Sequence, residues 1–290
     1  MKPLSLDTCG PASQGAPKVV AVDLDGTLLP LVLDGTQALT ESTKKAVRVL
    51  TQCRILTLLV TGRMFYSAAQ YARELDLGGP VAAYQGALIG EVGTGRVLHH
   101  DPVPLSLTRE VLRYLEPHGC SVNLYIDDRL YVSRRTHEIE RYERLSGMEA
   151  RVVGDLLAYV HSPSTKIGVS GDPGVLDELL EGLRAGFAGR LIAVKTWPFF
   201  LEIASPTATK ARALEILGGR LGFTASEVLA FGDSYNDADM LAWAGTGVAM
   251  QGAPPEVAAA ADVTCGSVED DGFARYLAGQ PWFPAEALAL

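Results

Sequence analysis

The stretch VVAVDLDGTLL at residues 19–29 decides the fold. Its first four residues are an apolar run, and two aspartates and a glycine end that run. An apolar run without polar alternation is typical of a strand buried on both faces, as in a parallel sheet. Residues two apart on a strand share a face, so we expect Asp23 and Asp25 to point into one cleft. Gly26 allows the chain to turn sharply after them.

Buried strands alternate with helices on both sides of a long interruption. This order predicts an α/β fold with a doubly wound parallel sheet. Clefts of such sheets lie beyond the carboxyl ends of the strands, and the unusual polar clusters of this sequence fall there. The predicted strands are residues 19–22, 55–60, 80–84, 228–231 and 247–250, and the predicted helices are residues 42–50, 67–75, 208–217, 237–244 and 254–261.

Between residues 85 and 196 the pattern changes to short hairpins mixed with helices. One hairpin turns at residues 93–95, and residues 121–132 form another. Such a pattern predicts an inserted α+β domain with a largely antiparallel sheet. The core is then residues 18–84 and 197–290. Residues 1–17 are rich in Pro, Gly and Ser, which predicts a disordered leader.

Composition excludes several classes of function. The 290 residues carry a net charge of −9, which argues against nucleic acid or an anionic membrane as a partner. The longest apolar run, residues 55–60, is too short to span a bilayer. The 4 cysteines are scattered without a Cys-x-x-Cys pair, which argues against a structural zinc site. The N-terminus lacks an apolar segment of signal-peptide length, so the expected location is the cytoplasm. No exposed apolar stripe stands out, and we expect a monomer or a weak homodimer.

Asp23 and Asp25 suit acid–base or nucleophilic chemistry. Two carboxyl groups this close resist double ionisation unless a cation lies between them or one stays protonated. One carboxylate can then act as a nucleophile and the other as a general acid and base. For an isolated Asp-x-Asp, a solvated pair at the start of a loop is the simpler interpretation.

Three further segments carry polar groups. The hydroxyl, glycine N–H and guanidinium of Thr61-Gly62-Arg63 suit a phosphate, although such a tripeptide is also an ordinary turn. The segment GDSYND at residues 232–237 offers oxygen ligands that suit Mg²⁺. The alternative interpretation is that Asp237 only stabilises the N-terminus of a helix. Lys210 opens a helix, where an isolated lysine is usually a solvated charge.

Together these segments resemble the haloacid dehalogenase superfamily of phosphatases. The matching residues are DLDGTL (23–28), TGR (61–63), Lys210 and GDSYND (232–237), in that order. The position of the insert resembles the Cof-like subgroup, which has a large α/β cap domain. The segment TWPFFLEI at residues 196–203 is similar to that subgroup's return from cap to core.

The resemblance implies a role for each matching residue. Asp23 would attack the phosphate and become an aspartyl-phosphate, while Asp25 would protonate the leaving oxygen and then activate water. Thr61 and Lys210 would bind the transferring phosphoryl group. Leu24, Gly62 and Arg63 would contact the substrate. The carboxylates of Asp23 and Asp233 and the backbone carbonyl of Asp25 would hold Mg²⁺, and Asn236 and Asp237 would support these ligands.

The implied function is a Mg²⁺-dependent phosphatase acting on a small phosphorylated metabolite such as a sugar phosphate. A phosphomutase of the same superfamily and a non-catalytic phosphometabolite-binding protein remain alternatives. The sequence departs from the subgroup at Gln85, Gly252 and Val268, where asparagine is usual. These departures leave the four catalytic motifs intact, and they leave open which of the family's substrate contacts transfer. Arg134, Arg135 and Arg141 could meet a second anionic group of the substrate, or form a solvated helix face.

Overall fold

A computed structural model describes residues 15–31, 37–284 and 286 of the chain. Strands of the described residues are β1 (Val19–Val22), β2 (Leu56–Leu59), β3 (Pro80–Ala83), β4 (Leu88–Glu91), β5 (Val97–His100), β6 (Ser121–Ile126), β7 (Arg129–Val132), β8 (Ala150–Val152), β9 (Lys166–Ser170), β10 (Ile192–Trp197), β11 (Phe200–Ala204), β12 (Val228–Gly232), β13 (Thr246–Ala249) and β14 (Val263–Thr264). The α-helices are α1 (Glu41–Gln52), α2 (Phe65–Glu74), α3 (Leu105–Leu115), α4 (His137–Ser146), α5 (Leu156–Tyr159), α6 (Pro173–Gly186), α7 (Lys210–Leu221), α8 (Ala238–Trp243), α9 (Pro255–Ala260) and α10 (Gly272–Ala278).

The core is built on a five-stranded parallel sheet in the order β14-β13-β12-β1-β2. Val20 and Val22 of β1 pack into the apolar cluster that includes α1, α2 and α10. Val19 and Ala21 pack into the cluster on the opposite face, which includes α7, α8 and α9. Because helices cover both faces, every residue of β1 is buried. The predicted doubly wound α/β core is therefore confirmed.

The core sheet continues beyond β2 as a small antiparallel extension. A parallel bridge joins Val60, which follows β2, to Ala82 of β3. β3 pairs with β4, and β4 with β5, in antiparallel register. Ile89 of β4 is buried in the same apolar cluster as Val19. The hairpin of β4 and β5 consequently belongs to the core.

A second sheet has six strands in the order β10-β11-β9-β6-β7-β8. We call residues 105–204, which contain it, the cap. Neighbouring strands run antiparallel except for β7 and β8. One face of the sheet packs against α3 and α6. From the other face Tyr125, Leu130 and Val132 pack with the core residues Met64 and Tyr84, so the cap lies directly on the core.

Both predicted boundaries of the inserted domain, residues 85 and 196, differ from the sheets of the structure. At the first, residues 88–100 extend the core sheet. At the second, the segment at residues 196–203, which was expected to return from cap to core, contains most of β11, and β11 pairs with β9 and β10 in the cap sheet. The sequence misleads here because a buried apolar strand shows the same pattern in either sheet.

Several elements were not predicted from the sequence. β8, β14 and α5 are only two to four residues long, and α4 is strongly polar, with His137 and Glu138 in its first turn. Short or polar elements carry little periodic signal. Of the predicted leader, residues 1–14 lie outside the described residues. Among the described helices, none combines the length and the apolar character needed to cross a membrane.

Candidate active site

The predicted site residues meet at the carboxyl edge of the core sheet. Asp23 follows β1, Thr61 follows β2 and Asp233 follows β12. These strands are neighbours in the sheet, so their ends lie side by side. Lys210 is the first residue of α7, and the Thr209 side chain caps this helix by accepting from the N–H of Arg212. Residues far apart in sequence therefore reach one cleft.

Lys210 is the centre of the site's charge pattern. Its Nζ lies 2.8 Å from Asp23 Oδ1 and 2.6 Å from Asp237 Oδ1. The side chains of Lys210 and Asp237 are fully buried, and that of Asp23 is nearly so. Burial alone lowers the pKa of Lys210, but the two carboxylates outweigh it and hold that pKa above its ordinary value. Lys210 is therefore a fixed cation beside the predicted nucleophile, not a solvated surface charge.

The carboxyl group of Asp23 is in an unfavourable place for a negative charge. Burial raises its pKa well above the ordinary value; Lys210 lowers it, and the neighbouring aspartates raise it further. A carboxylate nucleophile must be ionised. The surroundings of Asp23 thus call for positive charge beyond that of Lys210.

Asp237 organises the loop that follows β12. Its Oδ1 accepts from Lys210, and its Oδ2 accepts from the backbone N–H groups of Asp233 (3.1 Å) and Ser234 (3.0 Å). A Cβ atom on Gly232 would lie 2.4 Å from Asp237 Cβ, so only glycine fits against it. Since both oxygens already have protein partners, Asp237 acts mainly as a support.

Asp233 faces Asp23 across the cleft. Its Oδ1 accepts a 3.0 Å hydrogen bond from Thr27 Oγ1. Burial, followed by the charge of Asp237, raises the pKa of Asp233 to about 7. Gly26 makes this approach possible, because its φ is +82° and an added Cβ atom would lie 2.2 Å from Asp233 Oδ2.

The carboxylates fit a small divalent cation. Asp23, Asp233 and Asp237 each offer an oxygen, and these atoms lie within 4.8 Å of one another. Carboxylate and carbonyl oxygens are the ligands that Mg²⁺ prefers. A bound cation would also offset the unfavourable ionisation of Asp23 and Asp233. Both oxygens of Asp237 already accept from protein donors, so Asp23 and Asp233 are the carboxylates best placed to bind the ion.

Asp25 lies apart from this cluster and binds Arg63. Arg63 Nε donates to Asp25 Oδ2 (2.7 Å) and Arg63 Nη2 to Asp25 Oδ1 (2.5 Å), a bidentate pair. Gln37 Nε2 donates to Asp25 Oδ1 at 3.1 Å, and Gln37 also accepts from Arg63 Nη2. Bidentate pairing fixes the plane of a carboxylate. The guanidinium of Arg63 therefore positions Asp25, and its predicted contact with the substrate remains a prediction.

The predicted phosphate-binding segment is held by backbone contacts. Thr61 is buried, and its Oγ1 accepts from the N–H of Arg63 at 3.2 Å. Leu24 is buried with its side chain in the apolar core, so only its backbone can reach a ligand. The proposed contacts of Thr61, Leu24 and Gly62 to a substrate remain predictions.

Gln85 is a site residue that the sequence flagged only as a departure. Its Oε1 accepts a 2.9 Å hydrogen bond from Asn236 Nδ2. A Cβ atom on Gly62 would lie 2.4 Å from its Nε2, so the amide touches both predicted loops. Its backbone has a φ of +60°, a conformation that asparagine adopts more readily than glutamine. The longer side chain thus occupies space at the mouth of the site.

The other two departures lie away from the catalytic carboxylates. Gly252 has a φ of +94° with open space around it, and asparagine is also common in left-handed backbone. Val268 is partly buried against the apolar cluster of α1, α2 and α10. In this chain Gly252 therefore supports a turn, and Val268 makes an apolar packing contact.

Comparison with known proteins places this geometry in context. The sequence model of the haloacid dehalogenase-like hydrolases matches residues 20–277. The 5-amino-6-(5-phospho-D-ribitylamino)uracil phosphatase YitU of Bacillus subtilis is 26% identical over 90% of this chain and 96% of the relative. Pyridoxal phosphate phosphatase YbhA of Escherichia coli is 25% identical over 90% of this chain and 97% of the relative. The crystal structure of a haloacid dehalogenase-like hydrolase from Bacteroides thetaiotaomicron has a TM-score of 0.82 at 27% identity, covering 90% of this chain and 98% of that one.

Proposed function

The chain belongs to the haloacid dehalogenase-like hydrolases, and from that premise we propose that it is a Mg²⁺-dependent phosphatase of small phosphorylated metabolites that forms an aspartyl-phosphate on Asp23. The observation that carries the proposal is the buried contact of Lys210 Nζ with Asp23 Oδ1 at 2.8 Å. A buried cation against one carboxylate favours its ionised form, which a nucleophile requires. The relatives YitU and YbhA are both named as phosphatases, which supports the reaction class.

The reaction proceeds in two displacements at phosphorus. For the first step Asp25 must carry a proton, so one of its oxygens is released from Arg63. Asp23 attacks phosphorus and the bond to the leaving oxygen breaks, while protonated Asp25 donates its proton to that oxygen. Asp25 then takes a proton from water, and the water oxygen attacks phosphorus as the bond to Asp23 breaks. Inorganic phosphate leaves, and both carboxyl groups return to their starting states.

Charge on the transferring group is balanced by the residues around it. Lys210 and the Thr61 hydroxyl would bind its oxygens, since phosphoryl transfer depends mainly on positioning and charge neutralisation. Mg²⁺ would be held by the carboxylates of Asp23 and Asp233 and the backbone carbonyl of Asp25. When bound, it supplies positive charge that no side chain of this cluster other than Lys210 offers among the described residues.

The substrate class is a small metabolite with one phosphomonoester to lose. The names of YitU and YbhA describe phosphorylated metabolites of this size. The cap packs on the core through Tyr125, whose ring meets that of Tyr84 edge to face, and Tyr84 directly precedes the site residue Gln85. A cap that closes over a bound substrate would keep bulk water from the reacting phosphate.

Phosphate release from a panel of sugar phosphates, nucleotides and pyridoxal phosphate tests the proposal. We expect turnover with Mg²⁺, none with a chelator, and none from Asp23→Asn. Asp239→Asn is the matched control, because that carboxylate accepts from the N–H of Ala211 instead of contacting Lys210. Turnover by Asp23→Asn at the rate of the unmodified protein would overturn the assignment. Isomerised sugar phosphate in place of free phosphate would favour a phosphomutase.

A further inference from the structure

A small polar cavity lies between core and cap beside Asp25. Its volume is about 200 Å³, and the core contributes Gln37, Arg63 and Gln70 to its wall while the cap contributes Arg144, Ser146 and Gly147. The cap residues come from the last turn of α4 and the residue that ends it. Both halves of the molecule are therefore needed to form this cavity.

The cavity is positively charged. It contains two guanidinium groups, and none of its lining residues in the described part of the chain is acidic. Arg63 is already paired with Asp25. Arg144 forms no ion pair with any residue that the structure describes, as the salt bridges of the cap all involve other cations. Arg144 is therefore the cation left for a ligand.

The three arginines that the sequence singled out do not line this cavity. Arg135 pairs with Glu143 at 2.9 Å, and the guanidinium of Arg141 lies 3.7 Å from the ring centroid of Phe199. Arg134 lines a different cavity, within the cap. Of these three arginines and Arg144, only Arg144 is placed to contact an anion in this cavity.

Arg63 connects the cavity to the chemistry. Its guanidinium touches both oxygens of Asp25 and also forms part of the cavity wall. The proposed role of Asp25 is to protonate the leaving oxygen, so the leaving group must lie next to this wall. A leaving group of a few carbon atoms would extend from Asp25 into the cavity.

We infer that the preferred substrate carries a second anionic group, a carboxylate or a phosphate, which Arg144 binds in this cavity. The inference rests on the proposed phosphatase function and narrows its substrate class. Arginine suits the role because its planar donors match both carboxylate and phosphate oxygens. Contact through a cap residue also couples recognition of the substrate to closure of the cap.

Pairs of substrates that differ only in the second group test the inference. Phosphoglycerate is compared with glycerol phosphate for a carboxylate, and ribose bisphosphate with ribose phosphate for a second phosphate. We expect kcat/KM to be higher for the member that carries the second anionic group in at least one pair. The pair that shows this preference identifies the group as a carboxylate or a phosphate. In Arg144→Gln this preference should fall about tenfold through a higher KM, the loss of roughly one charge-assisted hydrogen bond. Arg144→Lys should restore part of it.

Arg184→Gln is the matched control. Arg184 also lies in the last turn of a cap helix, α6, but does not line the cavity. Its substitution should change neither the preference nor the activity. Equal kcat/KM for both members of each pair, or a preference that survives Arg144→Gln, would overturn the inference while leaving the phosphatase proposal intact. Absence of phosphate release from every substrate would instead overturn both.

Discussion

The carboxylate of Asp128, in the cap, accepts a 2.6 Å hydrogen bond from the backbone N–H of Tyr66, in the first turn of the core helix α2. The same carboxylate accepts from the N–H of Phe65 (3.0 Å) and from Tyr84 Oη (2.8 Å). The residue before α2, Met64, has no side chain that can cap the helix. The cap therefore provides the N-terminal cap of a core helix that begins beside the site.

Asp128→Ala should weaken the seating of the cap on the core. Loss of an N-cap carboxylate costs about 0.5–2 kcal/mol of stability. Because Asp128 belongs to the cap and α2 to the core, this loss would weaken the packing of the cap on the core. We expect faster hydrogen exchange at the amides of Phe65 and Tyr66, together with a higher KM. Asp127→Ala is the control, since Asp127 lies in the same turn and also has a positive φ. Unchanged exchange at both amides in Asp128→Ala would contradict this role.

Gly26→Ala should impair metal binding more than folding. The new Cβ atom would lie 2.2 Å from Asp233 Oδ2 and must displace that carboxylate. We expect Mg²⁺ affinity to fall about 10- to 100-fold, as for other changes that misplace a metal ligand. Gly252→Ala separates this effect from backbone strain, because Gly252 also has a positive φ but open space around it. Comparable Mg²⁺ affinity in the two variants would show that the contact with Asp233 is unimportant.

The pKa of Asp233 predicts how Mg²⁺ binding depends on pH. Its pKa is raised from an ordinary value of 3.8 to about 7, first by burial. Below pH 7 a proton therefore competes with the metal, and the apparent Mg²⁺ affinity should fall by about tenfold per pH unit. Calorimetric titration at several pH values measures this slope. The variant Asp233→Asn has no proton to lose at this position, so its Mg²⁺ affinity should depend less steeply on pH. A Mg²⁺ affinity that is independent of pH in the unmodified protein would contradict the prediction.

The same shift has a consequence for stability. A carboxyl group with a raised pKa in the folded state binds more protons folded than unfolded, so it lowers the free energy of unfolding as pH rises from about 4 to 7. Mg²⁺ binds only the ionised folded site and should restore stability above pH 7. Thermal unfolding with Mg²⁺ and with a chelator, at acidic and at neutral pH, checks this: the gain from Mg²⁺ should be larger at neutral pH. An equal gain at both would argue against Asp233 as a ligand.

The sequence predicts features that are set by local pattern, such as the buried strands. It does not predict which distant residues the long side chains contact. The buried strand before Asp23 follows from its apolar run alone, whereas the proposed role of the Asp23 carboxylate comes from the order of all four motifs and the resemblance they carry. The pairing of Arg63 with Asp25 was not predicted, because five donors on a flexible chain can serve several acceptors. Gln85 reaches Asn236, 151 positions along the chain, which no local pattern encodes. The predicted core boundary at residue 197 differs from the sheets for the same reason, because the pairing of β11 with β9 is a non-local property.

Detection of the aspartyl-phosphate tests the central claim most directly. In Asp25→Asn the residue proposed to activate water is lost, so an adduct formed from a donor with a good leaving group, such as p-nitrophenyl phosphate, should accumulate. After an acid quench, mass spectrometry should find one added phosphoryl group in the peptide that contains Asp23. The double variant Asp23→Asn/Asp25→Asn should show none. An adduct on another residue, or p-nitrophenol release by Asp25→Asn without any adduct, would contradict Asp23 as the nucleophile.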